Sequence, residues 1–209
     1  MTRWDRVERQ NLEETLRAAD PQAPTLCEGW EVRHLVAHLY LRRHQPWRAF
    51  GQGDGSVFAE LADRARDRGA YTDLVERFAA PVPPVSPMAL ADGPLGPVTN
   101  TTEYVIHHED VRRGAGPVPA RSLPADQNDA LFDAVVQFGR LALRKLDVGV
   151  VLAVPGGRRR VVKRAEESVA VIGSPVELAL VVSGRRRAAD VELVGSPSAL
   201  AAFNDRTTP

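Results

Sequence analysis

The chain has 209 residues, enough for one sizeable core or for a larger and a smaller unit side by side. Lys+Arg and Asp+Glu both number 27, so the formal net charge is zero and a general affinity for nucleic acid is not expected. No apolar run reaches the length of a membrane span, the first residues lack a signal-peptide core, and the single cysteine, Cys27, rules out an internal disulfide. A reducing, cytoplasmic setting is expected.

Residues 3–19 carry Trp4, Val7, Leu12 and Leu16 at helical spacing, and Pro21 and Pro24 end that helix. Residues 31–44 predict a second helix with Val32, Leu35, Val36 and Leu39 as its apolar stripe, closed by Pro46 and the glycines of 51–55. The pattern over 57–79 predicts a third, which Gly69 is placed to interrupt. Six prolines in 81–97 leave room only for an extended crossover. Asn100 or Thr99 then caps a fourth helix to Arg113, with Gly114 at its C′ position. Asp126 begins a long helix with Leu131, Val135, Phe138, Leu141 and Leu146 on one face.

After Asp147 the pattern changes. Residues 148–154, Val161–Val162, 168–172 and 190–194 read as strands, with Pro155–Gly157 as a turn. Ser174-Pro175-Val176-Glu177 has the capping-box pattern, and the helix it opens ends at Gly184. Ser196–Pro197 opens a last short helix. The expected class is α+β: a helical unit over 1–146, then a small α/β unit over 147–209.

The histidines cluster. His34, His38 and His44 fall in or just after the second helix, and His107 and His108 in the fourth. Glu103 and His107 are four apart, so both project from one helix face about a turn apart. His38 borders the apolar stripe next to Leu35, whereas His34 lies toward the polar side. One ligand from the second helix and two from the fourth, His38 with Glu103 and His107, make two imidazoles and a carboxylate. That set leaves positions open for water or substrate. The same spacing also admits His34 and His38 with Glu109, or His108 with Asp110, and each histidine also has an ordinary reading as a packed core residue. Cys27 reads as a small buried apolar residue. Trp30 reads as structural packing, and the arginine triplets at 158–160 and 185–187 as solvated charge.

The stretch Thr25-Leu-Cys-Glu-Gly-Trp30-Glu-Val-Arg-His-Leu-Val-Ala-His38-Leu resembles the signature of the DinB/YfiT-like bundles, closest to the mycothiol-dependent maleylpyruvate isomerase family. Thr102-Glu103-Tyr-Val-Ile-His107-His-Glu-Asp110-Val-Arg-Arg113 resembles that family's second signature. The tail from Gly173 to Gly195 is similar to its small sterol-carrier-like C-terminal unit. The resemblance implies an antiparallel four-helix bundle and one divalent metal on His38, Glu103 and His107, with zinc expected first and nickel, manganese or iron as alternatives. It also implies use of a low-molecular-weight thiol, mycothiol, as cosubstrate. The chain departs from the family at His34, where an acidic residue is usual, and at His44, where relatives often carry glutamate.

The expected function is therefore a metal-dependent thiol transferase or isomerase, a monomer or homodimer acting on a small electrophile. Asp110 is a candidate to orient His107, His34 a candidate general base or fourth ligand, and Arg185 a candidate holder of a carboxylate. Three alternatives stay open: a non-catalytic metal-binding protein, a hydrolase using metal-bound water, and a metal-free interaction module. A set of two histidines and a carboxylate also suits non-haem iron oxygenases, but those place it on a β-barrel rather than on helices.

Overall fold

The structure, a computed structural model, describes residues 2–45, 55–82, 89, 97 and 100–207. Most of the proline-rich crossover, Pro46, the glycines of 51–54 and Thr99 lie outside these residues. The described residues form eight helices and one four-stranded sheet, an α+β fold in two compact units, Met1–Val118 and Pro119–Pro209.

The first unit contains α1 (Trp4–Ala18), α2 (Val32–His44), α3 (Ser56–Arg64), α4 (Arg68–Ala79) and α5 (Thr101–Arg113). α1 packs mainly on α5, and α2 on α3 and α4. The core holds Leu12, Leu16, Leu35, Val36, Leu39, Tyr71, Leu74, Phe78 and Tyr104. The expected stripe of α2 is fully inside, but that of α1 is not. Trp4 and Val7 are only half-buried, while Asp5 and Glu8 are buried. The face that α1 turns to α5 is partly polar, because α5 brings His108 to it.

The predicted third helix is two. It breaks at 65–67, before Gly69, because Asp67 caps α4: its carboxylate accepts the Ala70 N–H at 2.9 Å. Asn100 stands at the N-cap of α5 but bonds elsewhere, its amide oxygen accepting from Arg42 at 3.0 Å. Gly114 is not the left-handed C′ glycine that its position suggested, since its φ is −61°. It is needed for space. A Cβ there would lie 1.9 Å from the Pro24 carbonyl oxygen and 2.6 Å from Thr25 Cα. The 24–27 loop is thereby seated directly on the end of α5.

The second unit contains α6 (Ala125–Ala142), β1 (Gly149–Ala153), β2 (Arg159–Lys163), β3 (Ser168–Ile172), α7 (Pro175–Val182), β4 (Glu192–Val194) and α8 (Pro197–Thr207). The sheet order is β2-β1-β3-β4; β1 and β3 are parallel and both outer pairs antiparallel. The sequence expectation put residues 125–142 with the first unit and the division at 146/147. Contacts instead divide the chain at 118/119, because α6 packs on α7 and β2. Its buried face is also turned from the expected one: Leu131, Phe132, Val135, Val136 and Gly139 face inward, while Phe138 and Leu141 are exposed. Gly139 sets that rotation, lying where a Cβ would already touch Val182, Leu152 and Val162. α7 starts as expected, with Ser174 Oγ accepting the Glu177 N–H at 3.4 Å. The Glu177 carboxylate does not close the box; it accepts the Asp190 N–H at 2.8 Å. Gly184, at φ +83°, ends α7 in a Schellman motif, with Arg185 N–H bonded to Leu180 O and Gly184 N–H to Val181 O.

Candidate metal centre

α2 and α5 bring together His38, Glu103 and His107. Nε2 of His38 lies 3.3 Å, and Nε2 of His107 3.2 Å, from the same Glu103 oxygen. One ligand atom from each residue lies within 4.8 Å of the others. The two imidazoles meet edge to face, centroids 5.1 Å apart. The His107 side chain is 9% exposed, against 22% for His38 and 25% for Glu103, so the set is anchored inside and opens to solvent on one side.

The set is held in shape from behind. Asp110, fully buried, places Oδ2 2.8 Å from Nδ1 of His107, one turn along the same helix. That contact directs Nε2 of His107 toward His38 and Glu103, as carboxylates do behind metal-bound histidines. Arg42, one turn beyond His38 on α2, donates from Nε to Glu103 Oε1 at 2.9 Å. Three nitrogens thus converge on one carboxylate oxygen. Burial pushes the Glu103 carboxyl upward, but its bonds to His107 and His38 and the Arg42 charge outweigh this and hold it well below the usual range. Burial alone would lower His107. Its bonds to Asp110, Cys27 and Glu103 reverse that and hold it well above its ordinary value.

The other sequence-level triads do not assemble. Glu109 is fully buried and occupied by Arg112 at 2.9 Å and Arg113 at 2.7 Å. His108 faces α1, with Nε2 2.8 Å from Thr15 Oγ1 and Nδ1 3.8 Å from Glu8. His34 caps its own helix: Nδ1 accepts the Glu31 N–H at 3.1 Å. A neutral His34 therefore carries its proton on Nε2, so its other ring edge donates. His44 closes the end of α4, Nε2 lying 3.3 Å from Phe78 O, and stacks on Tyr40. Arg185, in the second unit, turns back onto α7, donating from Nη1 to Ser183 O at 2.6 Å.

Sequence reasoning missed three contributors. Arg42 stands four residues after His38, a spacing that announced it. Trp30 is more than packing: its ring lies 5.5 Å from that of His38 and 5.2 Å from that of Phe58, itself 6.2 Å from His34. Cys27 is not an apolar filler: its Sγ lies 3.2 Å from Asp110 Oδ2. No periodicity signals that contact, because a loop makes it.

The family profile of the mycothiol maleylpyruvate isomerase N-terminal domain matches residues 4–112, over half of the chain and including all three candidate ligands. The chain belongs to this family. Among solved structures, a mutant of the mycothiol-dependent maleylpyruvate isomerase superposes with a TM-score of 0.55 at 16% identity, covering 91% of this chain and 90% of that one. At that identity the likeness is one of fold. No curated protein matches the sequence. Among the described residues, no helix is long and apolar enough to cross a membrane.

Proposed function

We propose that this member of the mycothiol maleylpyruvate isomerase family holds one divalent ion on His38, Glu103 and His107 and uses it in thiol-dependent transfer or isomerisation of a small electrophile. The observation that carries this reading is the convergence of His38 Nε2, Glu103 Oε1 and His107 Nε2 at a partly open surface. The donor set suits the group: two imidazole nitrogens and an ionised carboxylate match zinc, nickel, manganese or iron(II), and leave a position for a further ligand. An ion held there lowers the pKa of a bound thiol, so that it is a thiolate at neutral pH. The solved relative is named as mycothiol-dependent, which favours mycothiol as that thiol.

The chain's own residues have separable parts in this proposal. Asp110 fixes the ring of His107. Arg42 keeps Glu103 ionised and aimed inward. Trp30, Phe58 and His34 form a half-exposed aromatic wall beside His38, against which a planar substrate lies with the Nε2 edge of His34 available as a hydrogen-bond donor.

The test is elemental analysis of protein purified without added metal, then mycothiol binding and mycothiol-dependent conversion of an unsaturated electrophile, in which a transferase consumes the thiol and an isomerase returns it. A stoichiometric ion is expected, with the conversion lost in His38→Ala and in Glu103→Ala. A protein that keeps its ion but neither binds nor consumes the thiol would overturn the catalytic part. Full metal content in a His38→Ala/His107→Ala double variant would overturn the ligand assignment.

A further inference from the structure

The loop that leads into α2 touches both histidines of the proposed centre, but by different means. Trp30 packs its ring against His38. Cys27 reaches His107 in two ways: it bonds the ring itself, and its Sγ lies 3.2 Å from Asp110 Oδ2, the oxygen that is also 2.8 Å from His107 Nδ1. We infer that Cys27 is a positioning residue, whose S–H donates to the Asp110 carboxylate and so fixes the ring orientation of His107. The inference rests on the metal reading above for its consequence, but not for its geometry.

Three features carry it. Asp110 is fully buried, so each donor to its carboxylate counts for more than it would in water. The loop is seated on α5 independently of the thiol. The Leu26 N–H donates to the Asp110 backbone oxygen at 3.1 Å, and Gly114 lets the Pro24–Thr25 backbone come within what would be Cβ distance. The cysteine is itself oriented by its neighbour, because Thr25 Oγ1 accepts the Cys27 N–H at 3.2 Å while donating to Trp30 O at 2.8 Å. Thr25, Cys27 and Trp30 thus form one rigid bracket that sets the two imidazoles relative to each other. A thiol suits the position, being small enough for the loop, weakly polar and a single donor.

Cys27, His107 and Asp110 also form a second trio whose ligand atoms lie within 4.8 Å of one another, so the experiment must tell positioning from direct ligation. It uses the full chain, its Cys27→Ala and Cys27→Ser variants, and cobalt(II) as the metal. In metal-free protein, the Nδ1–H NMR resonance of His107, identified by its loss in His107→Gln, is expected to shift in Cys27→Ala and to return in Cys27→Ser. The ring signals of His108, which faces α1, stay in place in both. On loading, Cys27→Ala is expected to bind cobalt about tenfold more weakly, within the range seen when support behind a ligand is removed, and Cys27→Ser within about threefold of wild type.

An unchanged His107 resonance in Cys27→Ala overturns the inference. So does a shift of His107 and His108 together, which would mark a general loss of packing. A thiolate-to-cobalt charge-transfer band that disappears in Cys27→Ser also overturns it and makes Cys27 a ligand. If wild-type protein takes up no cobalt, the metal reading fails, and the metal-free NMR comparison still decides the role of Cys27.

Discussion

Replacing Gly114 with alanine sets two physical effects against each other. Its backbone is helical, at φ −61° and ψ −34°, so by conformation alone alanine should stabilise by roughly 0.5–1 kcal/mol. Packing says the opposite. The added Cβ would sit 1.9 Å from the Pro24 oxygen, 2.5 Å from the Pro24 carbonyl carbon and 2.6 Å from Thr25 Cα, all backbone atoms that no rotamer change can clear. Reaching an ordinary contact near 3.4 Å requires the loop and the end of α5 to part by about 1.5 Å. Overpacking of this kind typically costs about 1–3 kcal/mol, and here no flexible side chain can absorb it. Gly114→Ala is therefore expected to destabilise by about 2 kcal/mol after the conformational gain is counted. Urea unfolding of the metal-free protein measures this. The variant should also bind metal more weakly, because the displaced loop carries Leu26 and Cys27, both bonded to Asp110. An alanine variant as stable as wild type, or more stable, would refute the close approach and the seating of the loop.

Asp110→Asn, which keeps the shape but not the charge, is expected to lower metal affinity about 10- to 100-fold with the fold intact, measured by competition with a chromogenic chelator. His34 should titrate below its ordinary 6.5, chiefly because of its burial and then the neighbouring Arg33 charge. With the folded value below the unfolded one, its contribution to stability is present above that range and is lost as the pH falls through it. An NMR titration midpoint for His34 above 6.5 would contradict this. In the second unit, Gly184→Ala is expected to cost about 1–2 kcal/mol, since φ there is +83°, read as a lower thermal midpoint. Ser174→Ala removes the cap of α7 and should cost about 1 kcal/mol in the same assay.

Periodicity and turn chemistry determined much of this protein. The apolar stripe of α2, the hairpin at Pro155–Gly157 and the Ser174–Gly184 helix follow from local rules that act within a few residues. The i, i+4 pair Glu103/His107 was also legible, as was the candidacy of His38. Spacing alone did not choose His38, Glu103 and His107 over Glu109 or His108; family resemblance selected that set, and in the tertiary structure the other two residues are engaged elsewhere. Glu109 is taken by Arg112 and Arg113, and His108 turns to Thr15 and Glu8 on α1.

The errors have the same origin. The break before α4 came from an aspartate cap rather than a glycine, the rotation of α6 from a contact at Gly139, and the unit boundary from the side on which α6 packs. Cys27 shows the limit most clearly. Its sequence neighbours mark it as a small residue before a helix. Its hydrogen bond joins residues 83 positions apart. A one-dimensional pattern encodes which face of a helix is apolar, because that repeats with the helical turn. It does not encode which loop rests on that helix, because that depends on a fit between distant surfaces, here a missing Cβ at Gly114 and the carbonyl of Pro24.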